Sequence, residues 1–175
     1  MAPPAAELME RAAGIRLLIL DVDGVMTDGR LLYDADGREL KSFHVRDGYG
    51  IKRLMAAGIT VAVISWRRSG AAAGRMAELG IRHVMLGRAD KGQALAELLA
   101  ITGIDAGAAA CMGDDEPDLP VMQRVALPIA VADCHAAVAG AAAWRTTLPG
   151  GAGAVREVCD LLLAARGGHA DGGAR

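Results

Sequence analysis

Aromatic residues are scarce in this 175-residue chain: two Trp, two Tyr and one Phe. Single-stranded nucleic acid is commonly held on aromatic faces within a basic groove. The basic groove is missing as well, because 19 Lys and Arg stand against 21 Asp and Glu, for a formal net charge of -2. A charge balance of this kind creates no global field for nucleic acid or an anionic membrane, so neither is an expected partner. Cysteines are few. Cys111, Cys134 and Cys159 are odd in number and form no CxxC pair, the pattern of free thiols in a reducing cytosol. His44, His83, His135 and His169 are scattered without ligand spacing, which argues against zinc. No apolar run approaches the ~20 residues of a membrane-spanning helix. The opening MAPPAAELMERAAG carries acids where a signal peptide would place a basic flank and an apolar core. The expectation is a soluble, cytoplasmic protein. At 18.0 kDa it would be a single domain able to bury about 70% of its unfolded surface without disulfides or a structural metal.

Short apolar runs, by contrast, recur. Leu17 to Leu20, Ile59 to Ile64, Ile81 to Leu86, Ala108 to Met112 and Val125 to Val131 read as buried strands. Between them lie helical patterns. One is expected to be capped by Asp47 and closed by Gly58, a second runs from Ser69 to Leu79 before Gly80, and a third is capped by Asp90. Strand and helix alternate, which predicts an α/β fold built on a doubly wound parallel sheet. One segment breaks the alternation: Arg30 to Tyr33 and Glu39 to Val45 flank the turn Asp34 to Gly37, predicting a β-hairpin of about residues 30–45 inserted after the first strand. Residues 1–165 are expected to form the domain, and the Gly-rich 166–175 a flexible C-terminal tail.

The first strand ends in DVDG, so two carboxylates, Asp21 and Asp23, stand where a buried strand leaves the sheet. Like charges brought together in a partly desolvated place are costly, and a cation should offset them. Polar residues close three other strands or follow them shortly: Ser65, Lys91, and Asp114 with Asp115. In open α/β sheets the ligand crevice lies beyond the carboxyl ends of the strands, so all of these should converge. The chemistry that uses such a set is phosphoryl transfer. Asp21 would attack phosphorus and form an aspartyl phosphate. Asp23 would protonate the leaving alkoxide and then activate the hydrolytic water. Mg²⁺ would be held by the Asp21 carboxylate, the Asp23 carbonyl and Asp114. Ser65 would hydrogen-bond a phosphoryl oxygen and Lys91 would offset negative charge. Asp115 and Asp118 are left between two readings, a cap on the following helix or a group orienting a metal-bound water. A two-component receiver domain uses similar residues, but there the Lys comes last, whereas here an acidic pair follows Lys91.

The order DxDG, Ser, Lys, GDD resembles the haloacid dehalogenase superfamily over nearly the whole chain. The nearer likeness is to its capless branch, the 3-deoxy-D-manno-octulosonate 8-phosphate (KDO 8-phosphate) phosphatases. It rests on DVDGVMTDG, FHVRDGYGI (Phe43 to Ile51), GDDEPDLPVM (Gly113 to Met122), AVAD (Ala130 to Asp133) and GGAGAVREVCDLLL (Gly150 to Leu163). The resemblance implies a Rossmann-like fold without a cap domain and a Mg²⁺-dependent phosphatase releasing KDO and phosphate in lipopolysaccharide precursor synthesis. It also implies a homotetramer in which hairpins associate and a C-terminal tail reaches a neighbour's site. Ser65, Trp66, Arg67 and Arg75 are the expected substrate-binding residues, the two arginines as partners for the sugar carboxylate. One position departs from the family pattern: Ile64-Ser65-Trp66-Arg67 stands where Ile-Ser-Gly-Arg is usual. That Trp keeps two alternatives in view, a phosphatase for a related nine-carbon keto-acid sugar 9-phosphate and a weakly active tetrameric scaffold.

Overall fold

Leu17 to Leu20 are aliphatic without interruption because the strand they form is covered on both faces. In the computed structural model, which describes residues 6–167, Leu18 and Leu20 enter one hydrophobic cluster and Leu17 and Ile19 enter another on the opposite side of the sheet. Such two-sided burial removes the polar alternation of a solvated strand. In chain order the elements are helix α1 (Ala6–Ala13), strand β1 (Leu17–Leu20), the ribbon strands β2 (Leu32–Tyr33) and β3 (Glu39–Leu40), and helix α2 (Val45–Ala56). Then come β4 (Thr60–Ser65), α3 (Gly70–Leu79), β5 (His83–Leu86), α4 (Lys91–Thr102), β6 (Ala109–Gly113) and α5 (Leu119–Met122). The last are β7 (Leu127–Ala130), α6 (Ala136–Ala141), β8 (Trp144–Arg145) and α7 (Ala154–Ala165).

Six strands form one sheet in the order β5-β4-β1-β6-β7-β8, and every pair in it is parallel. This is the doubly wound α/β sheet expected from the sequence. Register places Leu20 opposite both Val63 and Met112, so β1, β4 and β6 end at nearly one level. Asp21, Ser65 and Asp114 are thereby delivered to the same rim.

The hairpin forms where expected but is shorter, with two residues per strand in place of the four and seven read from the sequence. Two strands outside a larger sheet are marginal on their own, and helix α2 already claims Val45. Its turn is held by Asp34, whose Oδ1 accepts from the N–H groups of Asp36 and Arg38, and by Gly37 at φ +77°. Four elements were not anticipated: α1, α6, the edge strand β8 and α7. Most of the expected tail, residues 168–175, lies outside the described residues.

Asp47 requires a correction. The cap of α2 is His44, whose ring accepts from the Arg46 N–H, and Asp47 lies within the first turn. There it is 2% exposed and its Oδ1 accepts from the N–H of Arg156 at 2.8 Å. Helix α7 begins at Gly153, which has no capping side chain, so Asp47 caps a helix 107 residues later in place of its own. Helix α2 packs against α7 through Ile51, Val155, Val158 and Cys159 in the same core. Asp47→Ala should cost about 1–2 kcal/mol, the usual loss when a capping acid is removed. Urea unfolding of the variant beside the wild type measures it, and an unchanged midpoint would show that α7 needs no cap from α2.

Candidate active site

Asp21 barely leaves the sheet: its N–H still donates to the Met112 carbonyl at 3.3 Å, while the chain turns away through residues 22–27. Gly24 makes that turn at φ +89°, and a Cβ there would overlap the Asp114 carboxylate. Glycine is therefore required twice, for the dihedral and for the space. The Gly150 to Gly153 stretch supports the turn from behind. A Cβ on Gly150 would overlap the Gly24 carbonyl, the Gly150 N–H donates to Asp133 Oδ1, and the Gly151 N–H donates to the Val25 carbonyl, both at 3.0 Å.

Lys91 opens α4 behind its cap Asp90 and is 3% exposed. Its ammonium lies 2.9 Å from Asp21 Oδ1 and 2.7 Å from Asp118 Oδ1. The other oxygen of Asp118 accepts from the Asp114 N–H at 3.0 Å and the Asp115 N–H at 3.5 Å. Asp118 is thus a brace joining Lys91 to the loop after β6. Asp115 caps the short turn that follows, its Oδ1 accepting from the Glu116 N–H at 2.8 Å.

Asp21, Asp23, Ser65, Trp66, Arg67, Lys91, Asp114, Asp115 and Asp118 all line one cavity of about 380 Å³. Trp66 is 56% exposed and its backbone is ordinary, since every described residue with positive φ is a glycine. The tryptophan therefore needs no dihedral reserved for glycine. Arg75, expected to bind a carboxylate, is not among the lining residues. It sits on α3, paired with Glu78 at 2.8 Å and with its guanidinium 5.9 Å from the Phe43 ring. Helix α3 carries it toward Gly48 of α2.

Charge is unbalanced in the cavity. Burial, reinforced by Asp21 and Asp118, pushes the Asp114 carboxyl up to about 8. Burial pushes Asp21 up to about 6 against the pull of Lys91. Burial also works against the Lys91 charge, but Asp21 and Asp118 outweigh it and its pKa is raised. Asp21, Asp114 and Asp118 each offer an oxygen within 4.8 Å of the others, and Asp21 Oδ1 is buried with no well-aligned hydrogen bond. Closely spaced, under-neutralised carboxylate oxygens suit a hard divalent cation such as Mg²⁺. With both Asp118 oxygens engaged, Asp21 and Asp114 are the carboxylates with capacity for it.

Two residues at the site escaped the sequence reading. The Lys41 ammonium, on a side chain 1% exposed, contacts Asp23 Oδ1 and lies 3.3 Å from Glu39 Oε1. Glu39 Oε1 is also 2.7 Å from the Arg67 guanidinium. In sequence both look like the solvated charges that commonly protect an edge strand, and only the fold of the hairpin reveals the contacts.

Residues 77–155 match the description of a haloacid dehalogenase-like hydrolase. The 3-deoxy-D-manno-octulosonate 8-phosphate phosphatase KdsC of Yersinia pestis is 49% identical over 164 residues, 94% of this chain and 88% of the relative. The chain belongs to the KDO 8-phosphate phosphatase family. A Yersinia pestis crystal structure of this family superposes with a TM-score of 0.93 at 48% identity, covering 95% of this chain and 90% of the other. The family's Moraxella catarrhalis member, solved in complex with a magnesium ion, a phosphate ion and KDO, gives a TM-score of 0.91 at 39% identity, covering 93% and 94%. The magnesium in that KDO 8-phosphate phosphatase agrees with the cation that this chain's acidic oxygens suit.

Proposed function

We propose that this protein is a Mg²⁺-dependent phosphomonoesterase that hydrolyses KDO 8-phosphate to KDO and phosphate, a cytoplasmic step in lipopolysaccharide precursor synthesis. The observation that carries the proposal is a single cavity in which Asp21 and Asp114 surround a cation-suited space, with Lys91 behind and Asp23 and Ser65 beside it, in a chain 49% identical to a named KDO 8-phosphate phosphatase. A magnesium ion, when bound through the Asp21 and Asp114 carboxylates and the Asp23 carbonyl, neutralises phosphate charge and polarises the P–O bonds. Asp21, fixed by the sheet, attacks phosphorus to give an aspartyl phosphate as the bond to the sugar oxygen breaks. Asp23 supplies the proton to that oxygen, then takes one from the water that cleaves the aspartyl phosphate. Ser65 donates to a phosphoryl oxygen, and Lys91 balances charge on Asp21 and phosphate. Asp118 holds Lys91 and the Asp114 loop in register.

Arg67 is the guanidinium we assign to the sugar carboxylate. Trp66 forms the rim, where its indole offers an apolar face to sugar C–H groups. We further assign a homotetramer built through the hairpin, whose Leu31, Leu32, Tyr33 and Leu40 are each more than half exposed, more apolar surface than a small ribbon ordinarily leaves to water.

A phosphate-release panel across sugar phosphates tests the substrate. KDO 8-phosphate should lead it, and Trp66→Gly should lose about 5- to 50-fold in kcat/KM on that substrate, in line with removal of apolar contact in a pocket, while keeping generic phosphates. Preference for a nine-carbon 9-phosphate would reassign the sugar. A uniform gain in Trp66→Gly would mean that the indole obstructs phosphate.

A further inference from the structure

Asp23 is the one group at this site asked to give a proton and later to take one, so which of its oxygens does so matters. Its Oδ1 is already in contact with the ammonium of Lys41, a residue of the hairpin 18 positions away. The Lys41 side chain is 1% exposed, deeper than a lysine ordinarily goes without a binding partner. It has two partners, Asp23 and Glu39. Glu39 Oε1 in turn forms an ion pair with Arg67 at 2.7 Å, though neither that oxygen nor the other terminal Arg67 nitrogen has a well-aligned hydrogen bond. A run of alternating charges, Asp23, Lys41, Glu39 and Arg67, therefore ties the hairpin to two residues that line the cavity.

From this geometry we infer that Lys41 is a positioning residue for Asp23: by occupying Oδ1 it leaves Oδ2 as the oxygen that carries the proton to the leaving group and receives it back from water. The inference rests on the phosphatase reading above. In the first step the Oδ2–H bond breaks as the P–O bond to the sugar breaks, and the sugar oxygen becomes a hydroxyl. In the second step Oδ2 takes a proton from the attacking water, and the starting state is restored. Lys41 keeps its own protons throughout. Its contribution is rotational, since a carboxylate free to turn about its Cβ–Cγ bond presents the correct oxygen only part of the time, and small misplacements at a reacting centre are expensive. Glu39 fixes the ammonium from behind and aligns Arg67 with the same strap, so the proton-transfer and carboxylate-binding ends of the site are set by one hairpin.

The leaving group provides the test. A sugar alkoxide needs a proton as it departs, whereas p-nitrophenolate is a stable anion that leaves without one. Lys41→Met should therefore lower the ratio of kcat/KM for KDO 8-phosphate to kcat/KM for p-nitrophenyl phosphate by about 10-fold or more, a fraction of the 10²–10⁴ that a positioned acid supplies. Lys41→Arg, which keeps a cationic donor, should recover part of that ratio. A merely structural role would reduce both substrates together and leave the ratio unchanged, and that result would overturn the inference. Should Lys41→Met fail to fold, Lys41→Ala, which likewise leaves Oδ1 without a donor, gives the same comparison. If the wild type releases no phosphate from KDO 8-phosphate with Mg²⁺, the phosphatase reading itself fails; an active wild type with an unmoved ratio removes only the role of Lys41.

Discussion

Asp21→Asn should fold normally and lose phosphate release by about 1,000-fold or more, the scale seen when a nucleophile that works as part of a unit is removed. The amide keeps the shape of the carboxyl but has no charged oxygen to attack phosphorus. Folding should not suffer, because burial already makes ionised Asp21 unfavourable and raises its pKa to about 6. Lys91 retains Asp118 at 2.7 Å as a partner. The metal-free variant should accordingly melt no lower than the metal-free wild type at pH 8. Activity above about a tenth of wild type would assign the nucleophile elsewhere.

Removing the metal should have an effect of similar size. EDTA should silence the enzyme reversibly, and Asp114→Ala should lower Mg²⁺ affinity and turnover together, with partial rescue by excess Mg²⁺. The same residues make stability depend on pH. In the metal-free fold Asp114 titrates near 8 and Asp21 near 6, against an ordinary value of 3.8. Between about pH 4 and 8 the folded chain therefore binds more protons than the unfolded one, so its stability falls as pH rises through that window and levels off above it. Mg²⁺ favours the ionised carboxylates and releases those protons. The rise in melting temperature on adding Mg²⁺ should then be larger at pH 8 than at pH 5.5, and smaller in Asp114→Ala at both. A metal shift independent of pH, or full activity in chelator with metal absence confirmed by elemental analysis, would contradict this account.

What could be read from the sequence follows from how each residue's role is encoded. Strand β1 announces itself because two-sided burial forces consecutive aliphatics, and DVDG marks the place where that burial ends. Ser65, Lys91 and Asp114 were found by the same logic, each at or shortly after the carboxyl end of an apolar run. Asp47 was misread because its partner is the N–H of Arg156, 109 positions away, and local capping rules see only the nearest helix. Arg75 lies off the cavity lining for a related reason: its position in the sequence does not reveal that α3 turns it onto Phe43. Lys41 and Glu39 could not be found, because a two-residue ribbon gives no pattern from which to infer which side chains face the cavity. Glycine was only partly readable. Gly24 and Gly150 look like ordinary turn residues, yet one makes room for Asp114 and the other for the backbone of Gly24.

Asp21 should become covalently phosphorylated by KDO 8-phosphate, and chemical trapping can catch that intermediate. Wild-type protein mixed with substrate and Mg²⁺, quenched in acid within a turnover and reduced with borohydride, should yield homoserine at position 21 by peptide mass spectrometry, and Asp21→Asn should yield none anywhere. Homoserine at another aspartate, or full turnover with no reducible acyl phosphate at any quench time, would contradict the account.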